Sequence, residues 1–232
     1  MPESAPLRRW HIFVPKLAGA SLPDRLLACA GAGLGVLAAA TAGLGVQNIL
    51  PALPFLIAPI GASAVLVFAV PASPLAQPWP VFGGNVVAAC VGVTVLHLVP
   101  VTFAAIAIAL ATAILVMSLL RCLHPPSGAV TITTILGGQA IVDAGYLFPI
   151  SVVAANSAAL LAAGWLFRRF SGHSYPHRAV EIPPSALPVG LLRADIDQAL
   201  ADSHETFDID LADLEAILLK AERIAEQRRG GT

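Results

Sequence analysis

The sequence predicts an all-α fold: a polytopic transmembrane helical bundle of about six spans. These are set out as two inverted three-segment repeats with broken helices, followed by a small cytosolic helical tail. Charge is the first observation. Of the 142 residues between Arg25 and Arg168, only Arg121 and Asp143 carry a formal charge, and the other 25 of the chain's 27 charged residues lie in the flanks. A water-facing surface needs charge, whereas one charge at the centre of a membrane helix costs roughly 2.5–3.5 kcal/mol on insertion scales. Composition is the second: the chain is 57% apolar with a mean hydropathy of +0.81, against roughly 45–50% apolar in soluble domains. The third is a recurring string, Pro59-Ile60-Gly61-Ala62 and Pro126-Ser127-Gly128-Ala129, 67 positions apart, each opening an apolar stretch.

The elements follow in order. Residues 1–21 form an N-terminal interfacial segment, because Arg8, Arg9 and Lys16 mix with Trp10, Ile12 and Phe13. No short apolar run with a small-residue cleavage site is seen there, so the first span is expected to insert the protein itself. Residues 22–168 form the membrane domain. About 20 apolar residues cross a bilayer, and six stretches qualify or come close: 26–46, 50–70, 81–99, 103–123, 127–142 and 146–167. Pro51, Pro54 and Pro59 crowd the first half of the second stretch, removing backbone donors and pointing to an unwound entry. Residues 169–188, with Pro176, Pro183, Pro184 and Pro188, read as a linker. Residues 189–232 read as C-terminal cytosolic helices over 191–200 and 210–228. The second carries Leu211, Leu214, Ile217, Leu218, Ala221, Ile224 and Ala225 on one face. That stripe cannot be buried by one helix pair, so it is expected to dock on a second copy of the chain, making a homo-oligomer, or on the membrane domain.

Six crossings return both termini to one side. Arg8, Arg9, Lys16 and Arg25 precede the first span, Arg168, Arg169 and Arg178 follow the last, and Arg121 closes the fourth on the same face. An excess of Lys and Arg marks the cytoplasmic side, so both termini are expected in the cytoplasm of a multi-pass protein of the cell (inner) membrane. If the short fifth stretch and the proline-rich second one are re-entrant, four crossings remain and the ends stay together.

Each repeated string suits a helix that begins inside the bilayer. Proline is at home in a first turn, where its missing donor costs nothing. Glycine and alanine admit another backbone or a ligand. A helix starting at depth offers free N–H groups and a partial positive charge to whatever faces it. Two such starts meeting near the midplane would bind an anion without any fixed cation. Candidate binding residues are therefore Pro59, Gly61, Ala62, Ser63, Pro125, Pro126, Ser127, Gly128, Ala129 and Thr131, with Thr133 and Thr134 as further hydroxyls. Asn85 and Asn156, 71 apart, supply matching amides downstream of each string. The bland alternative is that these residues only cap and pack kinked helices. His124 could shuttle a proton or fix the turn before Pro125. Arg121 could attract anions at the mouth or serve as a snorkelling anchor.

At this point the chain resembles the HPP family of membrane proteins, named for the tripeptide present here as His124-Pro125-Pro126. The likeness runs through 123–129, through 58–64 and through Ser73-Pro74-Leu75-Ala76-Gln77-Pro78, and covers roughly residues 20–168. Members in chloroplasts and cyanobacteria are associated with nitrite transport, so the resemblance implies a transporter or channel for a small inorganic anion such as nitrite.

Other classes find little material. A net charge of −1 gives no case for nucleic-acid binding, and Cys29, Cys90 and Cys122 lie in apolar stretches without metal-ligand spacing, read as packed thiols. No cofactor or metal is expected. The spans hold no Ser–His–Asp set and no paired aspartates, so an enzyme is not expected. The competing class is a membrane anchor, scaffold or sensor whose cytosolic tail binds a partner.

Overall fold

The computed structural model describes residues 22–171, 175–177, 193–203 and 209–230. Their regular elements are all helical, with no strand among them, as the sequence predicts. The N-terminal interfacial segment and most of the expected 169–188 linker lie outside the described residues.

Helix α1 (Leu22–Gln47) buries Gly31, Gly35, Ala39 and Gly43, one small residue every fourth position. Such a stripe lets a neighbouring helix come close in lipid, where packing rather than water exclusion drives association. Helix α7 (Ala154–Ser171) uses it, running antiparallel: Gly31 lies against Phe167, Gly35 against Leu160, and Asn156 bonds the Ala39 carbonyl. The start of α1 and the end of α7 therefore share one end of the bundle, called here the terminal face.

The second apolar stretch does not run as one helix. Residues 48–58 are irregular, and α2 (Pro59–Ala69) begins only at the third proline. The fifth behaves alike: α5 (Pro126–Leu136) stops at Gly137, Gly138 takes a positive φ of 80°, and the short α6 (Gln139–Ala144) follows. At 1.5 Å per residue each 11-residue helix spans about 16 Å, roughly half a hydrocarbon core. Among the described residues, four helices have the length and apolarity to cross: Leu22–Gln47, α3 (Pro78–Leu98), α4 (Thr102–Leu119), and a stretch Pro149–Arg169 in which one π-helical turn leads into α7. The order long, half, long thus occurs twice. Two of the six stretches are thus half-length: proline opens each helix, and α2 stops at Val70 before Pro71 while α5 stops at Gly137.

Helix α4 presents Ala105, Ala109, Ala113 and Met117 inward at the same four-residue spacing. It closes with the Cys122 N–H on the Met117 carbonyl and the Arg121 N–H on Ser118. This is the glycine-type helix ending, yet Arg121 occupies the left-handed position, with φ 53°. The core between the layers is built from Ile57, Ile60, Phe68, Met117, Phe148 and Leu160. Beyond the membrane domain, α8 (Arg193–Ser203) and α9 (Leu211–Gly230) bury Ile196 and Leu219 but leave Ile217 and Ile224 exposed. Of the cysteines, Cys122 is packed as expected and Cys90 partly so, whereas Cys29 is exposed on α1.

Candidate functional site

Both half-length helices start the same way. Ala58 (φ −54°, ψ −38°) and Pro125 (φ −53°, ψ −41°) already hold helical angles, and a proline follows each. This corrects one expectation. Because the cap residues are helical, the preceding carbonyls fold inward and take the first amide protons. Ile60 and Gly61 donate to Ile57 and Ala58, and Ser127 and Gly128 to His124 and Pro125, at 2.9–3.1 Å. The first-turn amides are engaged. The helix dipoles keep their positive ends here, but donors for a ligand must come from side chains.

Those side chains converge. His124, fully buried, donates from Nδ1 to the Leu75 carbonyl at 2.8 Å. A carbonyl only accepts, so the proton sits on Nδ1. In the neutral ring Nε2 then accepts from the Ser63 hydroxyl at 2.9 Å. Asn85 Nδ2 reaches Ser63 Oγ at 3.4 Å and Ser157 Oγ at 3.1 Å, while Ser127 Oγ donates to Asn85 Oδ1 at 2.8 Å. One consistent set of directions runs from Ser127 through Asn85, Ser63 and His124 to the main chain. Thr131 extends it along α5, its hydroxyl between the Ala88 and Ser127 carbonyls. Ser63, Asn85, Ser127, Thr131 and Ser157 all have no exposed surface. Asn85 lies seven residues after Pro78, about 10 Å along α3, which puts the cluster well inside the membrane domain.

Asn156 lies seven residues after Pro149 but serves a separate knot. Its Oδ1 accepts the Ile57 N–H, and its Nδ2 donates to the Ala39 and Phe55 carbonyls, each at 3.0 Å. All its bonds go to backbone, two of them to the irregular stretch before α2. That stretch leans directly on α1: a methyl group on Gly43 would overlap the Phe55 carbonyl. Gly84 plays the matching part before α5, where an added Cβ would lie 2.7 Å from the Cys122 carbonyl and 2.8 Å from His124 Cβ. The motif glycines do not. A Cβ on Gly61 meets nothing within 4 Å and one on Gly128 only a tip of Leu110. Close approach belongs to Gly43 and Gly84, because Gly61, Ala62 and Ala129 face outward.

Of the other predicted residues, Pro59 and Pro126 are buried first-turn residues, Pro125 is an exposed cap, and Arg121 is exposed beside the end of α4. Thr134 bonds its own helix, and Thr133 lines a cleft of about 500 Å³ with Gln47, Leu53, Ile57, Ala58 and Ile141. This cleft opens away from the terminal face and reaches the start of α2. Sequence reasoning missed Ser157, whose signal was adjacency to the repeated asparagine. It also missed the Leu75 carbonyl, which sits inside a string already singled out.

A bundle of spanning and half-length helices around a buried uncharged polar cluster defines a polytopic α-helical membrane protein. The match to the family model for the HPP transmembrane region covers residues 18–176, so the chain belongs to the HPP family. Two transmembrane proteins of Dictyostelium discoideum are similar to it. One is 34% identical over 113 residues, covering 47% of this chain and 36% of the relative; the other is 38% identical over 86 residues, covering 35% and 30%. The matched part is about a third of those relatives' own length. No solved structure matches.

Proposed function

We propose that this protein is a transporter or channel for a small monovalent anion, nitrite foremost, with Ser63, Asn85, His124 and Ser127 as its central site. The observation that carries the reading is the place of that cluster. It lies at the starts of both half-length helices, deep in a domain with almost no fixed charge, and four separate elements contribute to it. Hydroxyl and amide donors beside two positive helix ends suit an ion that must be desolvated and still released. In the present arrangement the donors satisfy one another. An entering anion would take the Ser127 hydroxyl and the Asn85 amide in place of their partners. The far-side cleft supplies an approach to the start of α2.

Arg25, Arg168, Arg169 and the exposed Arg121 gather towards the terminal face, while Asp143 follows α5 towards the other. The positive-inside rule then sets both termini in the cytoplasm, and the inner membrane is the matching location. Exposed Ile217 and Ile224 on α9 favour pairing with a second copy. They also favour the second reading, an anchor whose tail holds a partner. Deleting residues 185–232 separates the two, since a transporter retains flux. Uptake into proteoliposomes tests the first reading: nitrite, nitrate, formate or chloride must enter faster than into empty vesicles.

A further inference from the structure

The loop between α2 and α3 has an unusual build for a connection. Loops normally lie open to solvent, yet Ser73 and Ala76 are buried and only Ala72 is well exposed among residues 71–77. The loop is cross-braced from within: Gln77 Nε2 donates to both the Pro71 and Ser73 carbonyls at 2.9 Å, and the Leu75 N–H donates to Ser73 Oγ at 3.1 Å. On its inner side the Leu75 carbonyl takes the His124 proton. On its outer side the Tyr175 hydroxyl donates to the Ala76 carbonyl at 2.8 Å, and the His177 N–H donates to Gln77 Oε1 at 3.0 Å. His177 Nε2 in turn donates to Asp213 Oδ2 on α9 at 2.8 Å. An unbroken line of contacts therefore joins the C-terminal helix to the buried cluster.

We propose that residues 71–77 form the gate on the terminal face, closed by the Leu75–His124 bond, and that Asp213 of α9 latches it through His177. Calling the loop a gate rests on reading the cluster as the permeation site; the latch itself does not. Motion of the loop away from His124 removes the lid over the cluster and breaks its link to the main chain. Release of Asp213 frees His177, and with it the clamp on Gln77. The tail thereby regulates the site from outside the membrane domain, and anything that engages α9 would change the closed population.

The test uses the full chain with Cys29→Ala and Cys90→Ala, leaving fully buried Cys122, two residues from His124, as reporter. A quaternary-ammonium methanethiosulfonate is added to the protein in micelles, and modification is timed by mass spectrometry. Asp213→Ala is expected to label roughly five- to tenfold faster, the shift that loss of one ordinary intramolecular hydrogen bond corresponds to. The exchange His177→Asp with Asp213→His is expected to return the rate towards that of the parent. Equal rates in parent and Asp213→Ala, or a raised rate that the exchange leaves unchanged, would overturn the latch. Flux is measured separately on the same proteins. Faster labelling without flux in any version rejects the permeation reading and leaves the latch standing; normal flux with equal labelling rejects the latch alone.

Discussion

His124 and Ser63 lie 61 positions apart, and a 2.9 Å hydrogen bond between Nε2 and Oγ ties the approach to α5 to the second turn of α2. Both residues are fully buried. Replacing His124 by Phe keeps an aromatic ring but removes both bonds, leaving the Leu75 carbonyl without its donor and the Ser63 O–H without its acceptor. Each buried group stranded in this way costs about 1–3 kcal/mol. The variant is expected to melt several degrees lower in detergent and to lose most anion flux, as thermal unfolding and vesicle uptake would show.

The two repeated asparagines are expected to behave differently. Asn156→Leu strands the Ile57 amide and the Phe55 carbonyl on the irregular stretch and removes its bond to the Ala39 carbonyl of α1. Interhelical side-chain bonds in membranes average about 0.6 kcal/mol and reach about 1.7, but a backbone group left without a partner in hydrocarbon costs several kcal/mol. Asn156→Leu should therefore abolish accumulation of folded protein. Asn85→Leu strands mainly serine hydroxyls, which can turn to a main-chain carbonyl one turn back. That protein should fold and lose flux. Size-exclusion profiles of the two variants, side by side, decide the matter.

Glycine substitutions separate the packing account from the motif. Gly43→Ala drives a methyl group into the Phe55 carbonyl and Gly84→Ala places one 2.7 Å from the Cys122 carbonyl. Neither neighbour is a flexible side chain, so both variants are expected to be unstable or misassembled. Gly61→Ala enters open space and should be neutral in folding and melting temperature. A melting loss at Gly61 equal to that at Gly43 would refute the placement of α2.

Arg121 stands in the left-handed region at the end of α4 with φ 53°. A non-glycine residue there costs roughly 1–2 kcal/mol. Arg121→Gly is expected to raise the melting temperature. If the exposed guanidinium draws anions to the mouth, the same change lowers flux at low ionic strength and not at high salt. Uptake at two salt concentrations measures it.

The membrane class, the helical breaks and the tail helices were legible because they rest on local chemistry: missing charge, proline and glycine punctuation, and spacing. The paired motifs led directly to Ser63, Asn85, His124 and Ser127, which the fold brings together. Helical phase was not legible. A lipid-facing side and a core-facing side are both apolar, so nothing in Pro-x-Gly-Ala told whether Gly61 pointed in or out. The stripe Gly31, Gly35, Ala39, Gly43 did carry that signal through its four-residue period, and its partner is α7. The fate of Asn156 was hidden for another reason: its bonds go to main-chain groups at 39, 55 and 57, and only the path of the chain decides which carbonyl passes an amide. The first-turn donors were misjudged because the cap residues extend the helical conformation backward by one step.

The central claim is that the anion passes through the buried cluster. The measurement that tests it most directly is nitrite uptake by proteoliposomes holding either the unaltered protein or Asn85→Ala with Ser127→Ala. The account predicts uptake above empty vesicles for the first and at least a tenfold loss for the second, at a melting temperature within a few degrees. Equal uptake by both proteins, or none by either for any small anion, would contradict it.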